Sequence, residues 1–283
     1  MNMQRGFTLI EIAIVLVIVT VLLGYTLAMF PVQQELKQYR QADKEMTQII
    51  DSLYAFVQVN GYLPCPATTV SNGFECRIDT AAGVPGACDG TNPAADTCDL
   101  WFGAVPAKTL GIEGRYRPDG LLYDPWGRPY QYQVTNADSE DNDSSGTNTA
   151  GDGDGIGDMV VQGGIRNTAI SNASTTTLDL FLVTPDLSVC ITDPTPAAAG
   201  NDTACAAAQR IIGVSPAVIL STGKDAATIA SLVQLENLDN GPTDTVFIKA
   251  TRSDVNGAEY DDLVKWISPN ILYSKMFESD QLP

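Results

Sequence analysis

The sequence predicts an α+β protein, a long N-terminal helix packed on an antiparallel β-sheet head that is rich in loops and disulfides. Three observations carry that expectation. An apolar run starts at Leu9 and passes, after residue 30, into an amphipathic pattern of helical period. Beyond residue 60, short alternating segments are separated by Gly, Pro and Asn clusters, the pattern of strands and turns. Six cysteines (Cys65, Cys76, Cys88, Cys98, Cys190 and Cys205) all follow the helical part, and an even number in an exported segment reads as disulfides.

The helix comes first. Residues 12–30 contain no charge, and about 19 residues make about 28 Å of helix, enough to cross a bilayer. After Pro31, the residues Leu36, Tyr39, Met46, Ile49, Ile50, Leu53, Tyr54 and Val57 fall near helical spacing with charges on the other face. Pro31 is expected to kink the helix rather than end it, since helix-forming residues resume at once. Asn60-Gly61, followed by Pro64 and Pro66, is the stop signal. One helix of about 50 residues results, half for a membrane and half under a head.

One residue breaks the apolar start. Glu11 places a carboxylate where insertion into a bilayer costs roughly 2.5–3.5 kcal/mol near a helix centre, so it marks a function. The stretch Gly6-Phe7-Thr8-Leu9-Ile10-Glu11, with Arg5 before it, resembles the prepilin leader junction of type IV pilins and type II secretion pseudopilins. In that family a membrane aspartyl peptidase, the prepilin peptidase, cuts after the glycine and methylates the new amino terminus. The resemblance implies a cut between Gly6 and Phe7, an N-methylated Phe7, and Glu11 as the acid that guides assembly. An amine on one subunit and the Glu11 carboxylate of another can neutralise each other where either charge alone would be strongly penalised. An ordinary secretory signal has its cleavage site after the apolar region, and here the glycine precedes it. The implied organisation is a leader at 1–6, a transmembrane and filament-core helix at 7–30, an amphipathic helix at 31–60 and a globular head at 61–283.

A second resemblance lies in the head. Asp124-Pro125-Trp126-Gly127, followed by Pro129-Tyr130-Gln131-Tyr132, is similar to the segment that enters the first sheet strand of major pseudopilins. Asp124-Pro125 starts a turn, Trp126 offers a large anchor, and Gly127 permits an unusual backbone angle. Residues 130–134 alternate as a half-buried strand does. Further strands are expected at residues 159–161, 178–183, 217–220 and 245–248, and short helices at 204–212 and 226–235. Residues 261–267 read as either a closing strand or a helical turn, and the resemblance favours the strand. Residues 101–111 are apolar enough for core, whereas 80–93 have little to fold around and call for disulfides. Six cysteines allow 15 pairings, and the local set Cys65–Cys76, Cys88–Cys98 and Cys190–Cys205 is the expectation.

The net charge is −18, and the acids and bases of the first 50 residues cancel, so the head carries the excess. Phosphate neutralisation needs Lys/Arg clusters, and none is present, which argues against nucleic acid as a partner. There is no histidine, which removes Ser-His-Asp and Cys-His catalysis and most catalytic zinc sites. The reading is not an enzyme. Residues 136–158 are acidic and polar and must be loop. Within them Asp152, Asp154 and Asp158, spaced by glycines, have the oxygen-ligand logic of calcium loops. They are read either as a calcium site or as a solvated acidic loop. A weaker cation candidate joins residues 221–225 to Asp239 and Asp244, or to Asp261 and Asp262, and Lys224 opposes it.

What the N-terminal resemblance implies for function is a structural subunit, a minor pilin or pseudopilin of a type IV pilus-like or type II secretion filament. The head, at about 220 residues, is bulky for a major subunit. The implied partners are other pilin-like subunits, prepilin peptidase and an inner-membrane assembly platform. The implied location is a single-pass inner-membrane protein with its head in the periplasm, assembled into a periplasmic or surface filament. The alternative is a filament-tip binding or adhesion module that uses the disulfide-laced loops as its contact surface.

Overall fold

A 52-residue helix, α1 (Leu9–Asn60), opens the computed structural model. The structure describes residues 8–78, 88, 97–137, 158–161, 164–165, 185–192, 205–225, 232–238, 244–255 and 259–282, without the side chains of 26–32, 158 and 232. Helix assignment continues past residue 31, so Pro31 does not end α1. It stops where Asn60-Gly61 predicts. Gly61 adopts φ +76° and returns its N–H to the Val57 carbonyl at 2.8 Å, a left-handed cap that glycine adopts without strain. The chain divides into two units, Met1–Gln41 and Ala42–Pro283.

Within the second unit, α1 buries one stripe: Ala42, Met46, Ile49, Leu53, Tyr54 and Val57. These recur at three- and four-residue intervals, and the stripe faces a four-stranded antiparallel sheet ordered β3 (Phe102–Ala104), β4 (Gln131–Val134), β7 (Ala217–Ser221), β9 (Leu263–Trp266). Register places Tyr132 opposite Ile219 and Ile219 opposite Lys265. Tyr132 and Ile219 join the α1 core, and Lys265 reaches Asp43 of α1 at 2.8 Å. A C-terminal helix, α3 (Pro269–Glu278), completes this layer with Leu272, Tyr273 and Met276.

The other face of the sheet is also covered. Val218, Leu220 and Val264 pack on Leu187, Val189 and Phe247 of a second sheet, ordered β6 (Arg210–Ser215), β5 (Leu187–Cys190), β8 (Val246–Ile248). The head is therefore helix on sheet on sheet, with the α+β class as expected and one departure. The β5–β8 pair is parallel. The chain passes through α2 (Leu232–Glu236) before β8, the long crossover that parallel strands need. The second sheet also explains why β4 is not half-buried: Gln133, on the face expected to be wet, is 2 % exposed.

Three further expectations are corrected. Residues 159–161 form no strand. Asp158–Val160 is a 3₁₀ helix, held by Leu63 N–H to the Met159 carbonyl at 2.7 Å and by Arg77 Nη2 to the Val160 carbonyl at 2.7 Å. The helix expected at 204–212 is replaced by β6, whose β-branched Ile211, Ile212 and Val214 suit a strand beside β5. Trp126 is only partly buried, and the anchor of its turn is Asp124, which is 1 % exposed. The Asp124 carboxylate accepts the N–H groups of Trp126 and Arg128, each at 2.9 Å, and the Ser221 hydroxyl at 2.7 Å, tying the entry of β4 to the end of β7. Residues 261–267 resolve as a strand, β9. The strand expected at 178–183 lies outside the described residues, as does 226–231 of the expected helix.

The disulfides are Cys65–Cys98, Cys76–Cys88 and Cys190–Cys205. The third matches the local expectation, and the first two exchange partners relative to it. The cause is a small ladder, β1 (Arg77–Ile78) against β2 (Thr97–Cys98), which pairs Arg77 with Cys98 and delivers Cys98 to Cys65. Cys76 then bonds Cys88. Beside them, the buried Glu75 accepts the Cys65 N–H at 3.1 Å and the Arg77 guanidinium at 2.9 Å.

Candidate functional site

The N-terminus of α1 is a reciprocal capping box. Thr8 is the N-cap and Glu11 the third helical residue. Thr8 N–H donates to Glu11 Oε2 at 2.9 Å, the Thr8 hydroxyl donates to the same oxygen at 2.9 Å, and Glu11 N–H donates to Thr8 Oγ1 at 3.4 Å. The Thr8 N–H, which has no intrahelical acceptor, is thus satisfied by the Glu11 side chain, and the Glu11 N–H is shared between the Thr8 hydroxyl and the Thr8 carbonyl at 3.1 Å. The carboxylate also lies at the positive end of the helix macrodipole. Thr8 is the functional residue that reading Glu11 by itself overlooked. Its signal was present as Thr-x-x-Glu ahead of an apolar run. Gly6 and Phe7, the residues expected to flank the cut, lie outside the described residues.

From this cap onward the helix offers apolar side chains on every side. Leu9 is 89 % exposed, and Ile14, Leu16, Val17, Val21 and Leu22 are also exposed. A helix apolar all round belongs against lipid or other helices rather than water. Among the described residues, no helix is long and apolar enough to cross a membrane.

Where α1 meets the sheet, polar contacts fix its register. Glu45 accepts the Arg115 guanidinium at 2.7 Å and the Tyr130 hydroxyl at 2.6 Å. Burial, followed by that hydrogen bond, pushes the Tyr130 phenol far up, so it remains a donor at any physiological pH. Lys265 donates to the Asp43 carbonyl at 2.9 Å and to the Thr47 hydroxyl at 2.5 Å.

The metal expectations fare differently. Asp152 and Asp154 lie outside the described residues, as does the side chain of Asp158. Of the second candidate, Asp225 and Asp261 do come together around Gln234. Asp244 instead caps its own strand, accepting the Val246 N–H at 3.1 Å, and Asp239 is outside the described residues. Among the described residues, the acids there form no group with cation-sharing spacing. The trio that has it is Cys76, Cys88 and Asp99, whose sulfurs are bonded to each other.

Residues 1–27 match the family model described as the prokaryotic N-terminal methylation motif. This is the signature of type IV pilins and pseudopilins, and the capping box and apolar helix above lie within it. No curated protein and no solved structure matches the chain.

Proposed function

We propose that this chain is a minor pilin or pseudopilin, a structural subunit that joins a type IV pilus-like or type II secretion filament through α1 and displays the head. The observation that carries the reading is a methylation motif on a helix that exposes apolar side chains on all sides. In this reading prepilin peptidase cuts between Gly6 and Phe7, leaving an N-methylated Phe7 one residue ahead of the Thr8 cap. Before assembly the inner membrane covers residues 7–30, with the head in the periplasm, and an inner-membrane platform hands the helix to neighbouring subunits. The cap supports a role for Glu11. Its carboxylate is held at the helix start, within reach of an amine at the same level, and burial among apolar helices rewards that neutralisation. Calcium at Asp152, Asp154 and Asp158 belongs to the proposal on residue type and spacing.

The test is mass spectrometry of the mature native protein together with cross-linking to other pilin-like subunits. A methylated Phe7 start and cross-links through residues 9–25 are expected, and Glu11→Ala should insert yet fail to enter filaments. An untrimmed start in native material, or full incorporation of the Glu11→Ala protein, would overturn the reading.

A further inference from the structure

Three carboxyl groups converge on two side-chain amides between α2, β8 and the entry of β9. Asp261 and Asp262, 2 % and 7 % exposed, lead into β9, and Gln234 and Asn237, both fully buried, come from α2 and its end. Asp225 ends the turn that follows β7. The Gln234 amide donates to Asp225 Oδ1 at 3.0 Å and to Asp261 Oδ1 at 2.7 Å. Asp261 Oδ2 accepts the Lys224 N–H at 2.6 Å and the Asp225 N–H at 3.3 Å. At Gly223, with φ +64°, an added Cβ would lie 2.4 Å from the Asp261 carboxyl carbon, so the turn rests directly on that group. Asn237 donates to Asp262 Oδ2 at 2.8 Å and to the Ile248 carbonyl at 3.0 Å, and accepts the Ile248 N–H at 2.7 Å. It therefore seals the outer edge of β8 as a strand would. Among the described residues, Asp262 Oδ1 and Gln234 Oε1 are buried without a hydrogen-bond partner.

We propose that Asp225, Asp261 and Asp262, gathered by Gln234 and Asn237, form a proton-operated latch that holds α2 and the Gly223 turn against the entry of β9 in acid and releases them toward neutral pH. The amides of Gln234 and Asn237 and the backbone N–H groups of Lys224 and Asp225 carry no full charge, so three ionised carboxylates crowded out of water still repel one another. A proton on one carboxyl turns repulsion into a hydrogen bond between Asp261 and Asp225. Burial first, then the bond to Asp225, lifts Asp261 to about 6. Burial, then the neighbouring acids, lifts Asp262 to about 7. Burial opposes ionised Asp225 as well, but hydrogen bonds from Asp261 and Gln234 hold it below the ordinary range.

The charged groups on the surrounding elements leave the sign unchanged. Lys224 attracts Asp225, while its ammonium lies 3.7 Å from Asp254, the carboxylate that Arg252 also approaches at 3.7 Å. Lys249, following β8, stacks on Trp266, and Lys265 of β9 points to Asp43 of α1. Glu236 of α2 and Asp244 at the entry of β8 add buried acids. The Tyr260 hydroxyl donates a hydrogen bond to the Ile248 carbonyl at 2.6 Å.

With Asp261 and Asp262 raised above the unfolded value of about 3.9, and only Asp225 lowered, the folded head on balance binds protons that the unfolded chain has shed. The latch is thus closed below about pH 4 and weakens as pH rises through about 7. Hydrogen–deuterium exchange of the full chain in detergent at pH 5 and pH 8, corrected for intrinsic rates, tests this. Exchange at α2, β8 and the 222–225 turn is expected to rise at least about tenfold, and exchange at Met46–Val57 less than about twofold. Equal changes in both regions would overturn the proposal. The double variant Asp261→Asn/Asp262→Asn should abolish the difference, and a retained difference would also overturn it. Should that variant fail to fold, infrared titration of the wild type decides. A carboxylic-acid carbonyl band that persists to between pH 6 and 7 supports the latch, and complete ionisation by pH 5 refutes it.

Discussion

The two halves of α1 put nearly opposite demands on one helical geometry. From Ala42 to Asn60 the helix buries a single stripe, and charges such as Asp43 and Glu45 reach the sheet from its borders. From Leu9 to Tyr25 there is no stripe, because apolar residues occupy every side and are exposed. The difference shows that backbone propensity makes both halves helical, while the distribution of apolar positions decides what covers each. The second half is finished within its own chain. The apolar side chains of the first half stay exposed among the described residues.

Substitutions can break this contrast. Leu53→Ala empties a fully buried site and should cost about 2–5 kcal/mol of head stability, seen as a lowered Tm, whereas Leu16→Ala should leave head melting unchanged. If Leu16→Ala lowers the Tm as much, the two halves are not distinct. Replacing Cys65 and Cys98 together with alanine should cost about 2–4 kcal/mol, read by denaturant unfolding of the head, with N-terminal processing unaffected. Ser221→Ala removes the hydroxyl donor to the buried Asp124 carboxylate and should cost about 1–3 kcal/mol in the same measurement. Thr8→Ala should cost about 1 kcal/mol at the start of α1, visible as faster amide exchange over residues 9–12 and nowhere in the head. The smallest expected change is a calcium-dependent rise in Tm that a chelator reverses, and its absence would remove calcium from the proposal.

The methylation motif was legible because its signals are local. Gly6-Phe7 and Glu11 fall within one short stretch of sequence, and Thr-x-x-Glu marks the cap that holds Glu11. The stop at Asn60-Gly61 and strands β7 and β8 were readable for the same reason, as each is set by neighbouring residues, whereas β9 stayed open between a strand and a helical turn. The C-terminal helix went unread although Ser268-Pro269 is a start signal with proline in the first turn and Leu272, Tyr273 and Met276 fall at helical spacing. The buried carboxyl cluster was sensed only as a loose group of acids, since Asp225, Gln234 and Asp261 are far apart in the chain.

The methylation motif, the length of α1, its change from an all-round apolar surface to a single stripe and the acidity of the head all follow from residue order, because helix period and capping act over three or four neighbours. The partners of Cys65, Cys76, Cys88 and Cys98, the strand at Arg210–Ser215, the burial of Gln133 and the second sheet emerged only in three dimensions. Each depends on what another segment, distant in the chain, brings alongside, and a ladder or a covering sheet changes the environment of a residue without changing its sequence neighbours.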